Sequence, residues 1–184
     1  MYGLVNKALQ DLVESKHDRA TWQRILERAG VKESFFVWNE PYDDAITYSL
    51  VAAASAELGR PAETVLEDFG VHWVLHTAQE SYGPLMKAAG RSLPEFLHYL
   101  PRLHDRVVLL FPDLKLPEFE ILEQGEDWLV LGYWSCREGL QPFVGGLVKG
   151  LAEMFGTHVE VSLRAGRHSG LDHDEFLIKW SAPP

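Results

Sequence analysis

The chain has 184 residues, enough for one domain that buries a core and still encloses a small molecule, and a formal net charge of −10, the wrong sign for gripping a nucleic-acid backbone. Its single cysteine, Cys136, excludes an internal disulfide and fits a reducing, cytoplasmic compartment. No run of eighteen apolar residues marks a membrane span, and Asn6, Gln10, Asp11 and Glu14 interrupt what would be the apolar core of a signal peptide.

Residues 2–16 are expected to form a helix with Leu4, Val5, Ala8, Leu9, Leu12 and Val13 on one stripe. Asp18 caps a second helix from Ala20 to Ala29, which Gly30 ends. Pro41 begins a third segment that buries Ile46, Leu50, Val51 and Ala54 and closes at Gly59. Arg60-Pro61 opens a fourth helix through Leu66, Phe69, Trp73 and His76, and Gly70 within it weakens the helix or lets another group come close. Ser92-Leu93-Pro94-Glu95 reads as a capping box with proline in the first turn. The helix it starts carries Leu93, Leu97, Leu100, His104, Val107 and Val108 on one side. Phe119 to Leu122 and Trp128 to Tyr133 then read as two strands joined through Glu123-Gln124-Gly125-Glu126-Asp127. A helix from about Gln141 to Phe155 follows, with Gly146 and Gly150 on one face, where something flat or another backbone can approach. Strands His158 to Leu163 and Glu175 to Trp180 complete a four-stranded antiparallel sheet. Helices first and strands afterwards give an α+β order.

One constellation carries chemistry. Tyr133, Ser135 and Arg137 are spaced two apart, so in an extended strand they share a face bearing a phenol, a hydroxyl and a guanidinium. Such a row suits clustered carboxylates, and arginine can hold one bidentately. About thirty residues upstream, His104 interrupts an apolar stripe. A lone histidine there is ordinarily a hydrogen-bonded core residue. Beside a carboxylate clamp it describes a metal ligand in an apolar pocket, the two halves of a haem site. Other combinations are weaker. His72 and His76 are four apart but lack a third ligand and read as surface or rim residues; His158, His168 and His173 with Cys136 offer too few thiolates for structural zinc. Asp172-His173-Asp174 reads as a turn after Gly170, and no nucleophile–base set or phosphate-binding loop stands out.

The same residues carry a family resemblance. Tyr133-x-Ser135-x-Arg137 resembles the propionate-binding motif of the haem-nitric oxide/oxygen binding (H-NOX) domains, bacterial relatives of the haem domain of soluble guanylate cyclase. Met1-Tyr2-Gly3-Leu4-Val5-Asn6, Phe69-Gly70-x-x-Trp73, Leu103-His104-Asp105 and Pro117-Glu118-Phe119 match that family in order and spacing, and the likeness runs from Met1 to about Trp180. It implies a single haem domain over 1–184. A helical subdomain at about 1–60 and a helix-plus-sheet subdomain over 61–184 would enclose the haem between them. Lacking C-x-x-C-H, the chain would hold haem b without covalent bonds.

By resemblance His104 is the axial ligand, Tyr133, Ser135 and Arg137 hold the propionates, and Pro117 presses on the porphyrin. Val5, Leu9, Trp73, Phe143 and Leu147 would line the opposite face, with Leu100 one turn before His104. Oxygen-binding members carry a tyrosine at about position 143, where this chain has Phe143 and no donor; Trp73 keeps an indole N–H. The implied function is a gas sensor, not an enzyme, that binds nitric oxide and carbon monoxide at ferrous iron. The chain closes at Ser181-Ala182-Pro183-Pro184 without an output domain. Signalling is therefore expected in trans, to a histidine kinase or a cyclic-di-GMP enzyme. Two rivals stay open: an oxygen-binding haem protein on the same fold, and a metal-free binder of an apolar carboxylate held by Arg137.

Overall fold

The computed structural model describes residues 1–33, 35–110 and 115–181. Ala182-Pro183-Pro184, part of the ending from which signalling in trans was expected, lie outside them. Helix α1 (Gly3–Lys16) starts without a side-chain cap. Its first amides are satisfied instead by the loop before the third helix, Gly3 donating to Glu40 O at 2.9 Å and Leu4 to Trp38 O at 3.1 Å. Helix α2 (Arg19–Ala29) is capped as expected, the Asp18 carboxylate accepting from the Thr21 amide at 2.7 Å, and Gly30 closes it at φ 66°. Helix α3 (Asp44–Leu58) begins three residues after Pro41, where Asp43 accepts from the Ala45 amide at 2.9 Å.

The fourth segment departs from expectation. Helix α4 (Ala62–His72) passes directly into a π-helical turn, Trp73–Ala78, and then into α5 (Gln79–Ala88). The sequence reading stopped at His76 and gave no helix over α5. Gly83-Pro84 inside it is locally a turn signal, overridden because α5 buries Met86 against the core. Helix α6 (Leu93–Leu110) starts at Ser92, whose hydroxyl accepts from the Glu95 amide at 3.4 Å, while Glu95 reaches back to the Arg91 amide at 2.8 Å.

Strands β1 (Glu118–Gln124), β2 (Trp128–Trp134), β3 (His158–Ala165) and β4 (Asp174–Ser181) form one antiparallel sheet in the order β1-β2-β4-β3. Helix α7 (Gln141–Met154) lies between β2 and β3 in the chain and packs on α4 at backbone distance. A Cβ on Gly70 would strike the Phe143 carbonyl and come within 2.6 Å of the Leu147 amide; one on Gly146 would strike the Glu67 carbonyl. These glycines therefore serve helix–helix contact, the second helix being the flat object their spacing admits. Two apolar clusters result. One joins α1 to α4 around Leu9, Trp22, Ile25 and Leu50, and the other joins α5, α6, α7 and the sheet around Leu93, Leu97, Leu131 and Phe176. Trp73 packs against both. Among the described residues no helix is long and apolar enough to cross a membrane.

Candidate functional site

Between these clusters lies a cavity of about 220 Å³. Its walls come from the chain start (Leu4, Val5), the π turn (Trp73, Val74), α6 (Leu97, Leu100) and α7 (Leu147, Val148), with Phe119 and Leu131 from the sheet. The residues of this lining whose side chains carry a polar atom are His104, Tyr2, Tyr82, Trp38 and Trp73. An apolar box with one imidazole is a poor home for water and a good one for a flat hydrophobic cofactor.

His104 is aimed by its partner. Its Nδ1 lies 3.1 Å from the Pro117 carbonyl oxygen, which can only accept, so Nδ1 carries the proton and Nε2 keeps a lone pair for the cavity. Loss of water around the ring lowers its pKa, against the smaller opposing effect of the Pro117 hydrogen bond, and the neutral, ligating form is favoured. Phe119 packs at 5.6 Å from the His104 ring and 5.3 Å from Tyr133, linking the histidine wall to the end of β2. A neutral imidazole facing an apolar cavity, fixed through its other nitrogen by a carbonyl, fits an axial haem ligand.

The expected row of donors takes another form. Strand β2 ends at Trp134, so alternation places Tyr133 but not Ser135 or Arg137. Tyr133 is buried, and burial raises its phenol pKa. Ser135 Oγ accepts from the Arg137 amide at 3.1 Å, folding the segment into a hook. The Arg137 guanidinium donates from Nε to Asp44 Oδ2 at 2.7 Å and from Nη1 to the Lys115 carbonyl at 2.8 Å. Asp44 also binds the amino group of Met1. Burial opposes ionisation of Asp44, but the bonds from the amino terminus and Arg137 outweigh it and hold the carboxyl below its usual range. An anionic group reaching Arg137 would compete with that carboxylate.

Of the residues singled out in the sequence, Val5, Trp73, Leu100, His104 and Leu147 line the cavity together. Leu9 is fully buried one layer behind, in the α1–α4 cluster. Phe143 packs on Phe69 at 4.9 Å and Trp73 at 6.5 Å, behind the Trp73 ring rather than on the lining. Pro117 contributes its carbonyl, while its neighbour Leu116 faces the cavity. Tyr82 on α5 was missed with its helix, and it lines the cavity beside Trp73, the one distal donor the sequence singled out. His72 is buried, not a surface residue, and stacks on His76 at 4.6 Å. Asp174 is fully buried at the start of β4 instead of lying in a turn. Among the described residues no three histidine, cysteine or carboxylate side chains gather to hold a metal.

Comparison with known proteins agrees with this fold. The model of the Haem-NO-binding family matches residues 2–163. Soluble guanylate cyclase gcy-31 of Caenorhabditis elegans is 26% identical over 175 residues, covering 94% of this chain and 25% of the cyclase. The chain thus spans about a quarter of the length of that relative. An H-NOX protein from S. oneidensis in the Fe(II)NO state superposes with TM-score 0.88 at 21% identity, covering 98% of this chain and 99% of the other. The oxygen complex of an oxygen-binding H-NOX domain related to soluble guanylate cyclases gives TM-score 0.80 at 18% identity, covering 100% and 96%. At these identities the two structures speak for the fold alone, and it is common to proteins described with different gases. With the family model spanning most of its length, the chain belongs to the Haem-NO-binding family and has the H-NOX fold.

Proposed function

We propose that this chain is a non-enzymatic gas sensor that holds haem b without covalent bonds and binds nitric oxide and carbon monoxide at ferrous iron. It acts in the cytoplasm as one haem domain and signals in trans to a histidine kinase or a cyclic-di-GMP enzyme. The observation that carries the reading is His104: neutral, turned by the Pro117 carbonyl, and facing an apolar cavity. Haem, when bound, supplies the iron at which the gas binds. The chain's own residues supply the rest. His104 offers Nε2, Arg137 and Ser135 offer donors for propionates, and the aliphatic wall from Val5, Leu100 and Leu147 excludes water.

A second reading, oxygen binding, is favoured by Tyr82 and Trp73, since each brings a hydrogen-bond donor to the lining. Bound dioxygen is more polar than carbon monoxide and gains more from a donor. One such bond is worth roughly 1.5–3 kcal/mol, about ten- to a hundredfold in affinity. The test is the absorption spectrum of purified, reduced protein with each gas. Spectral change with nitric oxide and carbon monoxide, without a lasting oxygen form in air, is expected. A stable oxygen form would overturn selectivity, and its loss in Tyr82→Phe or Trp73→Phe would name the donor. Colourless protein that takes up no haem would overturn the reading itself in favour of a metal-free carboxylate binder.

A further inference from the structure

The hook at Ser135–Arg137 is held by its backbone as well as by its side chains. Beyond the Tyr133–Asp174 pair the β2–β4 ladder stops, and the carbonyls of Ser135 and Arg137 no longer face a neighbouring strand. Arg167, in the short turn Arg167–Ser169 between β3 and β4, reaches both. Its Nη1 donates to Ser135 O at 3.1 Å and its Nη2 to Arg137 O at 3.1 Å. The same guanidinium is fixed from behind, Nη2 lying 3.1 Å from Asp174 Oδ2 while the Arg167 amide donates to Asp174 Oδ1 at 3.1 Å.

Asp174 is 0% exposed, so its charge is tolerated only with partners of good geometry. Its third partner is Gln141, whose Nε2 donates at 3.1 Å from the first residue of α7. Helix α7 supplies Val144, Leu147, Val148 and Leu151 to the cavity. One buried carboxylate therefore ties together the turn that bears Arg167, the helix that lines the cavity, and through Arg167 the hook. Gly166 makes room for it, since a Cβ there would strike Asp174 Oδ1 and lie 3.2 Å from His168 Nδ1.

We infer that Arg167, set in place by Asp174, is a positioning residue for the propionate hook: it fixes the Ser135–Arg137 backbone so that the Ser135 hydroxyl and the Arg137 guanidinium meet an anionic group in one geometry. The inference rests on the haem reading, because it assigns the hook its ligand. On the hook Arg167 touches backbone only, so its influence on bound haem passes through Ser135 and Arg137.

The test is a double-mutant cycle on haem-loaded protein, measuring transfer to excess haem-free myoglobin. Loss of two charged-donor bonds in Arg167→Gln should speed haem release about tenfold. Arg167→Lys, which keeps the charge but reaches fewer acceptors, should fall between that variant and wild type. The combined Arg137→Ala, Arg167→Gln variant should release haem no more than about twofold faster than Arg137→Ala alone, the non-additivity expected of coupled residues. Amide exchange on haem-free protein gives a readout independent of haem: residues 135–137 should exchange faster in Arg167→Lys while α1 and α2 keep wild-type protection. If Arg167→Gln fails to fold, Arg167→Lys carries both measurements. Haem-loaded wild type with unchanged release in the Arg167 variants, or fully additive effects with Arg137→Ala, would overturn the positioning role and leave the haem reading standing. Wild type that takes up no haem would remove both.

Discussion

Two histidines on two helices give opposite lessons. His104 on α6 is half-buried and His72 on α4 is buried, and loss of water around each ring depresses its pKa. Around His104 there is space, and Nδ1 has an acceptor at Pro117 that leaves Nε2 facing the cavity. His72 does not border this cavity. Its ring stacks on His76, its buried Nε2 has no hydrogen-bond partner, and the nearby charges of Asp11 and Lys16 belong to α1, not to a cavity wall. A metal ligand needs a lone pair, a fixed ring and an open approach; His72 is the more deeply buried of the two and does not border the cavity.

The sharpest way to break the comparison is to exchange the two roles. His104→Gly should abolish tight axial ligation in haem-loaded protein, and added imidazole should restore much of the ferrous spectrum by refilling the space. His72→Gln should leave that spectrum as in wild type. A spectrum indifferent to His104 and sensitive to His72 would invert the assignment.

How much of this contrast was legible in the chain follows from the range of the interactions. The Asp18 cap, the Gly30 stop and the Ser92 start act within a few residues, and each appears where the sequence puts it. The apolar stripe of α6 likewise singles out His104. The π turn and α5 were lost because Gly83-Pro84 is a local stop signal that only tertiary burial of Met86 overrides. Tyr82 was lost with them. The partners of the hook were out of reach of any pattern, since Asp44 lies 93 residues from Arg137 and Arg167 lies 30. Spacing named Tyr133, Ser135 and Arg137 as a group. It placed Ser135 and Arg137 on a strand that in fact ends at Trp134.

A pH series sharpens the difference between the histidines further. Burial, with His76 beside it, pushes the His72 pKa from 6.5 down to about 4. Between those values the unfolded chain binds more protons than the folded one, so stability rises with pH and is lost as pH falls from about 6.5 toward 4. The loss at the low end is at most about 3 kcal/mol, and His72→Gln should remove that share of the slope. His104 contributes in the same direction in haem-free protein, so some slope should survive in the variant. Asp44, held below the usual carboxylate range, loses its contribution only as pH falls lower still. Urea unfolding of haem-free protein at pH 7 and pH 4.5 checks this, and equal slopes in wild type and His72→Gln would show that His72 is not shielded from protons.

The smallest effect tests packing on the two sides of α7, a rigid helix on one and the cavity beside His104 on the other. Gly146→Ala puts a methyl group against the Glu67 carbonyl, where α4 and α7 touch through backbone that cannot rotate away. Alanine is the better helix former by about 1 kcal/mol, but overpacking at a rigid contact costs about 1–3 kcal/mol, so the net change is a modest loss of stability. Val148→Ile also adds one carbon to α7, this time on the cavity wall. There the added carbon extends into open space, and haem-free protein should change by less than about 1 kcal/mol. Thermal unfolding of the two variants reads the contrast directly: the melting temperature should fall in Gly146→Ala and stay near wild type in Val148→Ile. The reverse order would mean that the cavity beside His104 is closed and the α4–α7 contact is loose.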